Sequence, residues 1–385
     1  MKIEDWYRSE PMRLMRQQIL GNDKLSNCAA CYHEEDVGYE SRRIKENFKS
    51  IIFTEQAFDK SFLQSPWNKH FVNDEFDGVP IDWHVDFGNE CNLTCKMCRP
   101  AASSAIAAIM RRHNKHDGSI KVSWTSNPTA WANFLSAVDN IPLRRIHVMG
   151  GEPTMMKKYH EFIDYLIDKK RFEISLSFVS NGTMINQQLL DKLKLFKNID
   201  MEISIESVSK VNDYIRQGSN IDQLLTNIEN LHTQQGDKLQ LVMRTVPQLL
   251  SISRYVDVIR YAWNNKLVIE GIPLTRPNYL AVNVLPWEYR QRLIPALSEL
   301  RDEIAANITF NSIQNGRSNG TIPQKLAREC EAMINLLRES TPDNVADLRR
   351  ELVEHCVFWD KEHGYDISDY VPEVASMMLD WGYSV

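Results

Sequence analysis

From residue 81 onward the chain alternates two hydrophobic rhythms. Short β-branched or apolar runs read as strands: WHVDF (83–87), RIHVM (145–149), ISLSFV (174–179), MEISI (201–205), QLVMRTV (240–246) and LVIEGI (267–272). Between or after them, apolar residues recur at helical spacing near 100–113, 128–138, 155–169, 186–196, 221–233 and 252–264. Six β-then-α units predict parallel strands joined by right-handed crossovers. Six is two short of a closed (β/α)8 barrel, so the expected fold is α/β, a partial, laterally open (β/α)6 barrel over residues 79–285. Residues 286–385 carry helical patterns only (EYRQRLIPALSELRDEIAAN, IPQKLARECEAMINLLRES, VADLRRELVEHCVFWDKEHG), which predicts a mainly helical C-terminal region. Residues 1–78 read as a separate small module. It opens on a helical stripe (Trp6, Met12, Leu14, Met15, Ile19, Leu20) ending at Gly21-Asn22-Asp23, and continues through a basic, helix-like SRRIKENFKSIIF into the loop-like QSPWNKHFVNDEFDGVP.

Composition narrows the class. The 385 residues are 43% hydrophobic and 25% charged, as expected of a globular protein, and the net charge of −6 offers no global attraction to nucleic acid or anionic membranes. No apolar run reaches the roughly 18 residues that span a bilayer, and the N-terminus lacks the apolar core of a signal peptide. A cytoplasmic protein is expected. In that compartment the seven cysteines speak for metal or redox chemistry over disulfides. Five of them fall in two clusters, Cys28/Cys31 and Cys91/Cys95/Cys98.

The second cluster, CNLTCKMC, follows the first predicted strand and places three thiolates on one short loop. Soft thiolates select iron–sulfur clusters, zinc or copper. A structural zinc site needs a fourth closed ligand, and no Cys or His follows closely; His113 and His116 lie a helix away. A [4Fe-4S] cube with three protein ligands leaves one iron open to a small chelating molecule.

In spacing and position this motif resembles that of the radical S-adenosylmethionine (SAM) superfamily. Three further segments resemble the family in order: Gly150-Gly151-Glu152-Pro153 after the second strand, Ser180-Asn181-Gly182-Thr183 after the third, and Ser204-Ile205-Glu206 at the end of the fourth. The resemblance implies that Cys91, Cys95 and Cys98 hold the cluster and that its open iron binds the amino and carboxylate groups of SAM. It assigns the remaining SAM contacts to Met97, Gly150, Gly151, Glu152, Asn181, Ser204 and Glu206. The glycines let backbone approach closely, Glu152 can accept a charge-assisted bond from the ammonium, and the backbone of Met97 faces the adenine. Ser204 and Glu206, two apart on one strand, point the same way and could hold the ribose. The implied reaction is reductive cleavage of SAM to methionine and a 5′-deoxyadenosyl radical, followed by hydrogen abstraction from a substrate.

Plain alternatives stand beside several residues. Ser204 and Glu206 also suit ordinary strand-end polar positions. His84, sharing a strand face with Asp86, fits either the barrel mouth or a satisfied core. Arg244 fits either a buried salt bridge or an anchor for a substrate anion. RRHNKH (111–116) fits a solvated helix end better than a phosphate site.

The N-terminal CAACYHEEDVGYESRR resembles a group of radical SAM proteins with a twitch-type auxiliary-cluster module before the barrel, Glu35, Gly38, Ser41 and Arg42 matching that group's pattern. No cysteine precedes Cys28, so the module is shortened, and Cys28 and Cys31 have too few companions for a cluster. A second iron–sulfur cluster, zinc and no metal all remain readings, with Cys330, Cys356 or a partner as candidate further ligands; buried structural cysteine is the ordinary reading of those two. The resemblance implies a small polar substrate or, alternatively, a peptide, and an electron donor such as flavodoxin or ferredoxin. It names no catalytic side chain. A non-catalytic metal-binding protein is the reading from another class.

Overall fold

The computed structural model describes residues 3–21, 23–45, 79–115, 123–274, 276–308 and 321–382. Six parallel strands form one sheet in the order β1 (Asp82–Asp86), β3 (Arg145–Met149), β4 (Ser175–Ser180), β5 (Asn198–Ser204), β7 (Leu239–Thr245) and β8 (Val268–Gly271). Among the described residues β1 and β8 are the edges of this sheet, consistent with a partial, open barrel. Two short strands, β2 (Thr94–Cys95) and β6 (Arg216–Gln217), pair antiparallel apart from it. The crossover helices are α3 (Ser104–Arg112), α4 (Pro128–Asn140), α5 (Lys157–Asp168), α6 (Gln187–Leu193), α7 (Ile221–His232) and α8 (Tyr255–Asn264), after α1 (Glu10–Leu20) and α2 (Ala29–Asp36) near the N-terminus. Asparagine side chains at 127, 186 and 220 cap α4, α6 and α7, which is why those helices begin where they do.

Alternation along the strands sorts the sheet into two faces. Ile146, Val148, Leu176, Phe178, Ile199, Met201, Ile203, Leu241, Met243 and Ile269 are buried in one hydrophobic core with the helices. The intervening residues, among them His84, His147, Asp200, Glu202, Ser204, Arg244 and Glu270, line a cavity of about 1030 Å³. The core thus lies outside the sheet and the polar lumen inside it. Four further helices, α9 (Trp287–Ala305), α10 (Ile322–Arg338), α11 (Val345–His363) and α12 (Pro372–Asp380), contribute Leu300, Met333, Leu352 and Met378 to the same core.

At the N-terminus the predicted stripe splits into a helical turn, Ile3–Tyr7, and α1, because Pro11 sits in the first turn of α1 and has no N–H to continue a preceding helix. Gly21 ends α1 with φ −72°, in the right-handed region, its N–H bonded to the Gln17 carbonyl, so the end does not use a glycine's left-handed freedom. SRRIKENFKSIIF is helical over 42–45; its remainder and the loop-like stretch up to residue 78 lie outside the described residues, as does His116.

Candidate functional site

The loop after β1 carries Cys91, Cys95 and Cys98, and neighbouring elements hold it throughout. The Ser103 hydroxyl donates to the Leu93 carbonyl at 2.9 Å, Ser104 N–H to Asn89 O at 2.6 Å, and Cys91 N–H to the Ser104 hydroxyl at 3.2 Å. β2 pairs Cys95 with Arg216. Lys96, between two of the cysteines, is 1% exposed; its ammonium donates to Asp360 on α11 at 3.0 Å and lies 4.0 Å from the centre of the Tyr214 ring. Asp360 also accepts from the Tyr214 hydroxyl at 3.2 Å and Ile367 N–H at 3.0 Å, so both oxygens of this buried carboxylate are bonded. Thr94 meets His363 of the same helix at 3.1 Å.

The turn after β3 locks onto this loop. Gly150 (φ +85°) and Gly151 (φ +45°) adopt backbone conformations that side chains avoid. A Cβ at 150 would stand 2.5 Å from the Gly88 carbonyl, and one at 151 would stand 2.8 Å from the Asn89 backbone carbon. These glycines therefore seat the turn against the cysteine loop itself. Glu152, 1% exposed, accepts from Thr154 N–H (3.1 Å), the Thr154 hydroxyl (2.7 Å) and the Ser180 hydroxyl (2.8 Å) on one oxygen, and from Asn181 N–H (2.6 Å) on the other. A carboxylate has about four lone-pair positions, two to each oxygen, so one acceptor position remains on the oxygen facing Asn181. The Asn181 amide in turn donates to Asn92 at 2.8 Å, joining the turn after β4 to the cysteine loop.

Glu206 follows the end of β5 and is buried. One oxygen accepts both Nε (3.1 Å) and Nη2 (2.8 Å) of Arg216; the other accepts Val246 N–H at 2.9 Å. Burial raises the Glu206 pKa, against the pull of Arg216. Arg216 Nη1 donates to the Cys95 sulfur at 3.8 Å, and Arg216 also lines the polar cavity. Sequence reasoning missed Arg216. The usable signal was a cation ten residues beyond Glu206, directly after the Tyr214-Ile215 pair.

Burial raises the pKa of all three thiols, and neighbouring thiols add to it at Cys91 and Cys95; Cys95 is pushed up to about 12. Buried thiols of this kind become thiolates only against a bound cation. Among the described residues no three His, Cys, Asp or Glu converge tightly enough for a single metal ion. A cube takes one thiolate per iron. Three sulfurs, that of Cys95 buried beside the Arg216 guanidinium and those of Cys91 and Cys98 partly buried, make a donor set suited to iron–sulfur chemistry.

Other expected site residues fall as follows. Ser204 lines the cavity and Met97 is partly buried against the core. His84 lies on the cavity wall, its ring 4.6 Å from that of His147 and in contact with the Arg42 guanidinium. Arg244 lines the cavity within an ion-pair network: Nε donates to Glu202 at 2.8 Å and Nη2 lies 3.3 Å from Glu270, which Lys45 also meets at 2.8 Å. Burial opposes ionisation of Glu270, but Lys45 and Arg244 hold its pKa well below the usual carboxylate range. Cys28 ends a 3-10 turn, Cys31 lies on α2, and both are partly exposed, with Cys31 on the cavity wall. Cys330 and Cys356 are wholly buried in the core, and burial pushes each up to about 12. No helix among the described residues is long and apolar enough to cross a membrane.

Residues 85–247 match the model of the Radical SAM superfamily. The chain is 25% identical over 154 residues to the mycofactocin maturase MftC of Mycolicibacterium smegmatis, covering 40% of this chain and 34% of that protein. It is 24% identical over 196 residues to the radical SAM cyclopropyl synthase TigE of Paramaledivibacter caminithermalis, covering 48% and 39%. With the GTP 3',8-cyclase of Helicobacter pylori it shares 25% identity over 201 residues, covering 52% and 57%. The chain thus spans about a third of the length of the first of these relatives and little over half of the last. Among solved structures, native anSMEcpe with bound AdoMet aligns at a TM-score of 0.42 and 16% identity, over 58% of this chain and 62% of that one. In its motifs, in their settings at the strand ends and in the family match, the stretch 85–247 is similar to the radical SAM superfamily.

Proposed function

We propose that the chain is a radical SAM enzyme that abstracts hydrogen from a small polar substrate in the barrel lumen. One observation carries the reading: Arg216 touches the sulfur of Cys95 and lines the polar cavity, so the cysteine site and the lumen share a wall. When bound, a [4Fe-4S] cluster and SAM would supply reductive cleavage of the sulfonium and a 5′-deoxyadenosyl radical. Cys91, Cys95 and Cys98 would hold the cluster. The free acceptor position of Glu152 would take the SAM ammonium, with Gly150, Gly151 and Asn181 keeping that carboxylate in place. Ser204, on the cavity wall, would meet the ribose, and the backbone of Met97 the adenine. Glu206 would act by orienting Arg216. Arg244 and His84 would bound the substrate space, where a wall of paired charges suits a polar molecule.

The division into a module over 1–78, a barrel over 79–285 and helices over 286–385 gives the first part a wall of that space, through Cys31, Arg42 and Lys45. Cys28 and Cys31 would hold a second metal, an auxiliary cluster of a shortened twitch-type module or zinc. Similarity to a maturase favours a second reading, a peptide substrate in the same lumen. An acidic one-electron carrier such as flavodoxin or ferredoxin would be the partner.

The test is anaerobic reconstitution with iron and sulfide, then dithionite and SAM, with 5′-deoxyadenosine as the readout. The enzyme should form it, and a Cys95→Ala variant should not. A wild-type chain with a normal cluster spectrum and no product would instead be a non-catalytic metal-binding protein.

A further inference from the structure

A cluster that starts its reaction by reduction needs an entry for one electron, and the molecule is built unusually around Cys98. This cysteine is partly exposed and packs against a satellite apolar cluster separate from the main core: Ile106, Ile109 and Met110 of α3 with Phe358 and Trp359 of α11. Val357, beside it, is 40% exposed. The outer rim is basic. Lys115 Nζ stands 4.2 Å from the centre of the Phe358 ring, and the His113 ring meets Phe358 edge-on at 5.1 Å. Arg111, Arg112, Lys115 and Lys361 are exposed there, against only Glu354 and Glu362 on the neighbouring turns of α11. Glu362 is already taken up by Arg112 and by His113 at 2.8 Å. In a chain of net charge −6 this face is a local exception.

We propose that this face docks a small acidic one-electron carrier protein, which passes its electron to the cluster by way of Cys98. The inference rests on the radical SAM reading above. A partly exposed apolar patch of Cys98, Met110 and Phe358 with a basic rim has the anatomy of a protein interface, and complementary charge speeds encounter more than it tightens the complex. The step balances simply: one electron leaves the reduced carrier, the cluster gains it, and no bond or proton moves.

The experiment is stopped-flow reduction of the reconstituted cluster by reduced flavodoxin, compared between wild type, Lys115→Glu/Lys361→Glu, and a charge-matched control, Lys157→Glu/Lys169→Glu, at and just beyond α5. At low salt the rim variant should be slower by about tenfold or more, and the gap should close as salt screens the rim. The control should behave as wild type. All three should form the same amount of 5′-deoxyadenosine with excess dithionite. Should the reversal fail to fold, Lys115→Gln/Lys361→Gln carries the same expectation at about threefold. Equal flavodoxin rates in rim variant and wild type, or an equal loss in the control, would overturn the docking face. If flavodoxin reduces the cluster through the rim but dithionite and SAM yield no product, the radical SAM reading falls and the docking face stands.

Discussion

The chain holds two groups of closely spaced cysteines, and their surroundings differ more than their spacing. Around Cys91, Cys95 and Cys98, every neighbouring turn is committed: Gly150 and Gly151 press on the loop, Asn181 bonds Asn92, Arg216 meets Cys95, and Lys96 is buried on Asp360. Around Cys28 and Cys31 there is a short helix with no buried residue; the segment after it joins the rest through a small buried cluster of Val37, Tyr39 and Ala332 and through Lys45 with Glu270 and Arg42 with His84. The lesson is that a thiolate site is made by the shell that orients its ligands. Cys-x2-Cys by itself carries none of that shell.

Breaking the shell of the first site should have the largest effect. Gly150→Ala would drive a Cβ into the Gly88 carbonyl and Asp86, and should strip nearly all reconstituted iron from that site while the far-ultraviolet circular dichroism stays that of a folded chain. Iron retained at the wild-type level would mean that the turn does not form the site. Next is the buried ion pair. Asp360→Ala should cost about 3–5 kcal/mol in chemical denaturation, because it leaves Lys96 charged and unpaired in the interior. Replacing both partners, Lys96→Met with Asp360→Leu, should recover most of that loss. A double variant no better than Asp360→Ala would show that the pair is not what holds α11 to the loop.

A smaller effect sharpens how firmly the second region is joined to the barrel. The pKa of Glu270 is held down in the folded chain, so its stabilisation is complete above the ordinary glutamate value of about 4.3 and is lost as pH falls through the lower folded value. Below about pH 5 the wild type should therefore lose stability more steeply than Glu270→Gln. Parallel acid-denaturation curves would remove Glu270 from the join. The smallest effect is expected at the second site. In metal-free chain, Cys28→Ala/Cys31→Ala should shift stability by less than about 1 kcal/mol. In reconstituted chain, the iron count of that variant against wild type distinguishes an auxiliary cluster, which would lose iron, from zinc or nothing, which would not.

Much of this was readable before any coordinates. The strands fall within a few residues of the apolar runs, because an alternating strand with one face in a core leaves a period-two record. The cysteine loop, GGE and SNG were likewise legible, since each is a local word at a strand end. What stayed hidden is pairwise and distant. Lys96 and Asp360 are 264 positions apart, and Arg216 is 121 from Cys95. No local pattern marks such partners. Glu152 was legible as an acceptor, but its four internal donors were not, because they come from two separate turns.

The two-faced sheet has a consequence for how such a protein can change. Each strand presents its core residues and its lumen residues on opposite sides, so Asp200, Glu202, Gln240 or Arg244 can be exchanged without altering a packing contact of Met201, Ile203, Leu241 or Met243. Under the proposed function, swaps in the lumen would rewrite which molecule is accepted while the apolar core stays as it is. Lumen lining and core packing are inherited on separate sets of codons, even though those codons alternate along the same gene.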